Sequence, residues 1–165
     1  MLMDETLQSE LNQRLNDEMY SAYKYFAMAT YFAEINLSGF AKYMHQNAKE
    51  EWGHGEKVYD YLLLRQMPVK LQSVEVSDTN WINPMDVFEN ALSHERVITE
   101  KYNRFYEMAV EKNDHALAFF LEDFVREQVE EEAKFATLLE RIKVAQHCPC
   151  GLAAINQEFL GNILK

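Results

Sequence analysis

A glutamate and a histidine one helical turn apart, Glu51 and His54, lie inside an otherwise apolar run of helical period. The run is Phe40, Met44, Asn47, Glu51, His54, Val58 and Tyr61, and steps of three and four put all of these on one face of a helix. That face points into a core. An ionised carboxylate buried alone is costly enough that it must be paired or hold a metal. Carboxylate and imidazole at i, i+3 can grip one ion from a single turn. A lone Glu-x-x-His is a weak motif, however, and its meaning depends on what other segments bring to it.

Four segments carry this signature, one of them the run just described. The first, about residues 4–34, has a stripe of Leu7, Leu11, Leu15, Ala22, Tyr25, Ala29 and Phe32, interrupted by Glu18. The second, about 38–66, holds Glu51, with Ser38 as an expected N-cap. The third, about 85–112, places Glu95 among Phe88, Leu92, Ile98, Tyr102, Phe105 and Ala109. Asn83-Pro84-Met85-Asp86 starts it well, with Asn as N-cap, Pro at N1 and an acid at N3. The fourth, about 114–145, carries Gln128 and Glu131 in a stripe with Leu117, Leu121, Phe124, Phe135, Leu138 and Ile142. Short turns join the first pair and the second pair. Residues 67–83 show no helical period and read as a crossover long enough to run the length of a helix. A short amphipathic piece, about 152–163, closes the chain with Leu152, Ile155, Phe159 and Ile163 on its apolar face. Only five Gly and three Pro in 165 residues favour such long helices. The expectation is an all-α, single-domain, antiparallel four-helix bundle over 1–165, with one long crossover and a short fifth helix.

Each long helix thus has one acid inside its core stripe: Glu18, Glu51, Glu95 and Glu131. Counted from the short turns at ~1.5 Å per residue, the two acids of each hairpin come to within about 5 Å in height. Four converging anions and one His, with no Lys or Arg in the stripes, repel one another without a cation. Divalent metal, as two ions bridged by Glu51, is the economical reading, and it is the arrangement of carboxylate-rich di-iron bundles. Oxygen and nitrogen ligation with little sulfur suits iron and also admits Mn or Zn.

The charge balance agrees. With 27 acidic against 16 basic residues the formal net charge is −11, which argues against nucleic acid as a partner and suits attraction of cations. No apolar run approaches the length of a membrane span, and the opening Met1-Leu2-Met3-Asp4-Glu5 lacks the basic-then-apolar plan of a signal peptide. Two Cys, both near the C-terminus, make no disulfide framework, so a reducing, cytoplasmic setting is expected.

These residues resemble the ferritin family in its non-haem prokaryotic form. Glu50-Glu51-Trp52-Gly53-His54-Gly55-Glu56-Lys57 is similar to the family's helix-B ligand segment, and Glu127-Gln128-Val129-Glu130-Glu131-Glu132 to its helix-D segment. Asp17-Glu18-Met19-Tyr20-Ser21-Ala22 and His94-Glu95 fit helices A and C. The resemblance implies a first iron site of Glu18, Glu51 and His54 and a second of Glu51, Glu95 and Glu131, with Gln128 close by. It implies a third site of Glu50, Glu127, Glu130 and Glu131. Tyr25 matches the family's redox-active tyrosine, although its spacing fits a plain core aromatic equally well. The implied activity is oxidation of Fe(II) by O2 or H2O2, with ferric mineral stored in a hollow cage of twenty-four subunits. Trp52 stands where bacterioferritins have a haem-ligating Met, so no haem is expected. Ala118 and Leu121 fall at the positions of the acids that line the three-fold pore of animal ferritins. Two other readings use the same residues: a discrete di-iron peroxidase or oxygenase without mineral storage, and a purely structural helical oligomer.

Three features stay open in the sequence. Gly53 and Gly55 lie mid-helix, either because something nearby needs room or because they are tolerated. His147, Cys148 and Cys150 sit in the turn before the fifth helix, as reduced thiols or as soft-metal ligands, with Pro149 and Gly151 breaking the helix.

Overall fold

The computed structural model describes residues 4–148 and 150–162. It has five helices, α1 (Glu5–Glu34), α2 (Ser38–Leu64), α3 (Pro84–Glu111), α4 (His115–Ala145) and α5 (Gly151–Asn162), and no strand among the described residues. The predicted boundaries hold to within two residues. Pro149 and Ile163, expected to break the chain and to finish the last apolar face, lie outside the described residues.

Most helix ends have local causes. Asp4 accepts the N–H groups of Thr6 and Leu7, Asn83 accepts that of Asp86 with Pro84 at N1, and Asp114 accepts that of Leu117. Helices α1, α2 and α3 all stop in the same way. Asn36, Gln66 and Asn113 take φ of 61°, 54° and 56°. The next N–H then turns back, Leu37 to the Phe32 carbonyl, Met67 to Leu62 and Asp114 to Ala109, each at 2.9 Å. This satisfies carbonyls that a helix end would otherwise strand. For α2 the turn falls at Gln66, so the helix closes at Leu64 rather than continuing to 66.

The start of α2 departs from expectation. Ser38 is its first helical residue and not its cap; Leu37 holds the cap position and has no side chain to offer. The cap comes from α5, where Asn156 Oδ1 accepts the N–H of Gly39 at 2.7 Å and of Phe40 at 3.3 Å. Gly39 permits this approach, because a Cβ there would lie 1.9 Å from the Asn156 carbonyl oxygen. Ile155 and Phe159 pack beside it, with the Phe159 ring against those of Phe40 and Tyr43.

Helix α1 pairs with α2 and α3 with α4, and α5 lies against α2 and α4. Arg65, just past α2, joins the hairpins by a bidentate bond to Asp114 at the start of α4, at 3.1 and 2.9 Å. The crossover is fastened to α1 by two asparagines one turn apart. Asn12 donates to the Pro68 carbonyl and accepts the Lys70 N–H, at 3.1 and 2.7 Å. Asn16 donates to the Lys70 carbonyl and accepts the Gln72 N–H, both at 2.8 Å. An irregular segment thereby gains backbone partners without forming a strand.

The apolar core is divided. One cluster gathers Tyr25, Met28, Phe32, Phe40, Phe88, Phe135 and Ile142 near α5. The other gathers Leu11, Leu15, Val58, Leu62, Phe105, Leu121 and Phe124. A polar layer lies between them. Ala118 and Leu121 are buried in the second cluster, because they continue the Leu117–Phe124 stripe. They are therefore not available to line an opening between subunits. The exposed residues of that stretch are Phe119, Glu122 and Asp123.

Candidate metal centre

The polar layer is where the four stripe acids meet. Ligand atoms of Glu18, Glu51 and His54 all lie within 4.8 Å of one another, and so do those of Glu51, Glu95 and Glu131. Glu51 belongs to both groups. Glu18 and Glu95 are 1% exposed and Glu51 is 5% exposed, while His54 and Glu131 are partly buried at the rim. The bundle builds this layer because each stripe that turns an apolar residue inward elsewhere turns an acid inward at this level.

Such acids resist ionisation. Burial pushes the Glu18 carboxyl well above the usual carboxylate range, and the neighbouring Glu51 adds to the effect. Glu51 and Glu95 are also raised, chiefly by burial, with Glu95 acting on Glu51 and Glu131 acting on Glu95. A multivalent cation at this level would relieve the repulsion and take the place of those protons.

Two tyrosines serve two of the acids. The Tyr25 hydroxyl donates to Glu95 Oε1, and the Tyr102 hydroxyl donates to Glu18 Oε1. Gln128 donates to the other oxygen of Glu95 at 3.1 Å. The other oxygen of Glu18, Oε2, meets no donor and lies 3.8 Å from His54 Nδ1. A buried carboxylate oxygen without a donor, facing an imidazole nitrogen, fits a divalent cation and wastes a desolvated acceptor otherwise. The His54 ring is set up for the same purpose. Its Nδ1 lies 3.4 Å from Glu51 Oε2, while its Nε2 faces Glu127 Oε2 at 3.3 Å. A carboxylate on the far ring nitrogen is the usual partner of a metal-binding His.

The remaining sequence-predicted residues are placed differently. Glu50, Glu127 and Glu130 fall outside both ligand groups. Glu127 also faces Lys57 Nζ at 3.5 Å, and Glu130 is exposed. Gln128 is buried, but its amide nitrogen faces Glu95. His94, beside Glu95, is buried away from both groups, with Nε2 2.8 Å from Ser21 Oγ. Burial lowers it to about 3, so its ring stays neutral. Trp52 turns outward into a groove with Met19, Tyr23, Tyr59 and the crossover residue Leu71. Gly55 is a place of close approach: a Cβ would meet Met19 Cε at 2.4 Å and Glu18 Cβ at 3.5 Å. Gly53 has nothing within 4 Å and so meets no such demand.

Sequence reasoning missed two participants. Tyr102 stands seven residues after Glu95, as Tyr25 stands seven after Glu18, and that repeat was the available signal. Lys134 reaches the layer from outside the α4 stripe, with Nζ 2.5 Å from Glu131 Oε2 and 2.8 Å from Asn47 Oδ1. Its spacing of three from Glu131 was visible in the sequence. Asp17 is a further buried acid, neutralised by Arg14 at 3.0 Å and Lys101 at 2.9 Å rather than joined to the layer.

Comparison with known proteins points to one family. The ferritin family model, a ferritin-like domain, matches residues 8–145. The bacterial non-heme ferritin of Bacteroides fragilis is 36% identical over 144 residues, covering 87% of this chain and 91% of that protein. That of Staphylococcus haemolyticus is 32% identical over 148 residues, covering 89% of each. Among solved structures, an open-pore ferritin from the hyperthermophilic archaeon Archaeoglobus fulgidus superimposes with a TM-score of 0.93 at 35% identity. That match covers 95% of this chain and 96% of that one.

Proposed function

The chain belongs to the ferritin family, and from that premise we propose that it oxidises Fe(II) at a two-iron centre inside the bundle and stores the ferric product in a hollow homo-oligomer of twenty-four subunits. One observation supports the two-iron reading above the others: two ligand groups meet at a single shared carboxylate, Glu51. One Fe(II) substrate is held by Glu18, Glu51 and His54, and a second by Glu51, Glu95 and Glu131. Each ion gives up one electron, so a pair supplies the two electrons that reduce O2 to H2O2, or H2O2 to water. Hard anionic oxygen favours Fe(III) over Fe(II) and so favours this oxidation.

The chain's own residues supply the rest. Protons held on Glu18, Glu51 and Glu95 before loading leave as iron enters. Tyr102 holds one oxygen of Glu18 and leaves the second without a donor, whereas Tyr25 and Gln128 each hold one oxygen of Glu95. Gln128 steadies Glu95. We assign to Tyr25, which is hydrogen-bonded to Glu95 and stacked on Phe135 with ring centroids 5.6 Å apart, the exchange of an electron with the pair. With the Nδ1 lone pair on the metal, the His54 proton sits on Nε2, facing Glu127. The second site lacks an imidazole and holds its ion less firmly, which lets product move on to the cavity. A cytoplasmic setting is part of the same reading, and the free thiols of Cys148 and Cys150 suit a reducing compartment.

Adding Fe(II) in air to the purified protein tests this. A soluble brown core in a particle of twenty-four-subunit mass is the expected result. Rapid oxidation by a dimer, with precipitation of ferric hydroxide, would instead indicate a discrete di-iron enzyme.

A further inference from the structure

The resemblance makes Glu50, Glu127, Glu130 and Glu131 a third iron site, but two of these acids, Glu50 and Glu131, already face a cation. The structure already answers their charge. Lys134 Nζ lies 2.5 Å from Glu131 Oε2 and 3.8 Å from Glu50 Oε2, between α4 and α2. Its third contact fixes it: Asn47 Oδ1 accepts from Nζ at 2.8 Å. Asn47 is 3% exposed and cannot turn freely, because its own amide nitrogen donates to the Tyr43 carbonyl at 2.8 Å. The carbonyl side of the amide is thereby held toward the lysine. Glu127, the next acid along, is directed to His54 Nε2 and Lys57 Nζ.

We infer that Lys134 is a built-in cation that stands in place of a third metal ion, making this a two-metal centre by charge as well as by ligand count. The inference rests on the two-iron reading above and specifies its stoichiometry. An ammonium at this point offsets one of the two charges of Glu50 and Glu131 without a coordination sphere. A divalent ion brought to the same carboxylates meets a like charge already seated there, and like charges a few ångströms apart in a half-buried setting repel strongly. Lys134 also engages one oxygen of a second-site ligand, Glu131. That leaves the other oxygen for metal and weakens the carboxylate as a donor. Lys134 is in this sense a positioning residue: it acts on metal number and affinity through Glu131 and Glu50.

The test counts ions with redox-inert Zn(II), by anomalous diffraction from crystals of the assembled protein, in wild type, Lys134→Met and Lys134→Arg. Methionine keeps the length and the apolar stem and removes the charge; arginine keeps the charge. Wild type is expected to show two peaks per chain, both touching Glu51. Lys134→Met should add a third peak bounded by Glu50, Glu131 and Glu127 or Glu130, with several-fold tighter Zn(II) binding at the Glu51–Glu95–Glu131 site. Lys134→Arg should return the count to two. Three peaks in wild type, or an unchanged two in Lys134→Met, would overturn the inference and leave the two-iron reading standing. Absence of the Glu51-bridged pair from wild type would overturn that reading and this inference with it.

Discussion

The side chain of Asn156 accepts the backbone N–H of Gly39 across a sequence separation of 117 residues. The fifth helix therefore finishes the second one, in addition to covering the ring of Phe40. Asn156→Ala should cost about 1 kcal/mol, the usual value of a lost N-cap. Gly39→Ala should cost more, because its methyl meets the Asn156 backbone, which cannot rotate away. Thermal unfolding of the two variants measures both effects; a neutral Gly39→Ala would show that the helices do not dock so closely. Truncation after Gln146 should lower stability as well as weaken assembly, while the Fe(II) ligands remain.

Glu51 is the one residue common to both ligand groups. Glu51→Ala should abolish rapid Fe(II) oxidation and leave a folded bundle. His54→Ala should weaken the first site far more than the second. Stopped-flow oxidation together with metal-soaked crystals decides between shared and separate roles. Rapid oxidation in Glu51→Ala would remove the bridge from the mechanism.

Tyr102 and Tyr25 each satisfy an oxygen of a buried acid on another helix. Tyr102→Phe should destabilise the metal-free protein by about 1–3 kcal/mol, the cost of stranding a buried acceptor. The loss should shrink when Zn(II) is bound, since the freed oxygen can turn to the metal. Melting curves with and without Zn(II) test this, and an equal loss in both states would reduce the hydroxyl to a packing role.

Stability of the metal-free protein should depend on pH in an unusual direction. Glu18 and Glu95 are raised, and Glu51 is pushed up to about 8, by burial and mutual repulsion. A carboxyl with a raised folded value binds its proton more tightly when folded. Its contribution is complete below the unfolded value of ~4.3 and is lost as pH rises through the folded value. Stability should therefore increase as pH falls from about 8 toward 6.5. Below that, neutral buried His94, lowered to about 3, pulls the other way, because the unfolded chain takes up its proton first. Zn(II) should flatten the upper limb. Denaturant midpoints across this range, with and without Zn(II), measure it; a flat metal-free profile would mean that the acids are already compensated.

The parts legible in the sequence were those written in local spacing. Steps of three and four placed Glu18, Glu51, Glu95 and Glu131 on inward faces, and Asn83-Pro84 marked a helix start. What escaped depends on distant partners. Asn156 at the head of α2, and Asn12 and Asn16 along the crossover, look like ordinary polar residues until the fold brings them a backbone to bond. Lys134 lies off the α4 stripe, and only the reach of its long side chain takes it to Asn47 and Glu131. Ala118 and Leu121 were read from a correspondence of positions, whereas their own periodicity turned them inward.

Glu18, Glu51 and His54 all belong to α1 and α2, which form one hairpin, while the second group needs α3 and α4 as well. The first hairpin alone carries one complete ligand group, and the second group is incomplete without the other hairpin. Glu18 in that state also lacks Tyr102, which arrives with the other hairpin. In the two-iron reading proposed above, paired oxidation therefore requires both hairpins to be docked.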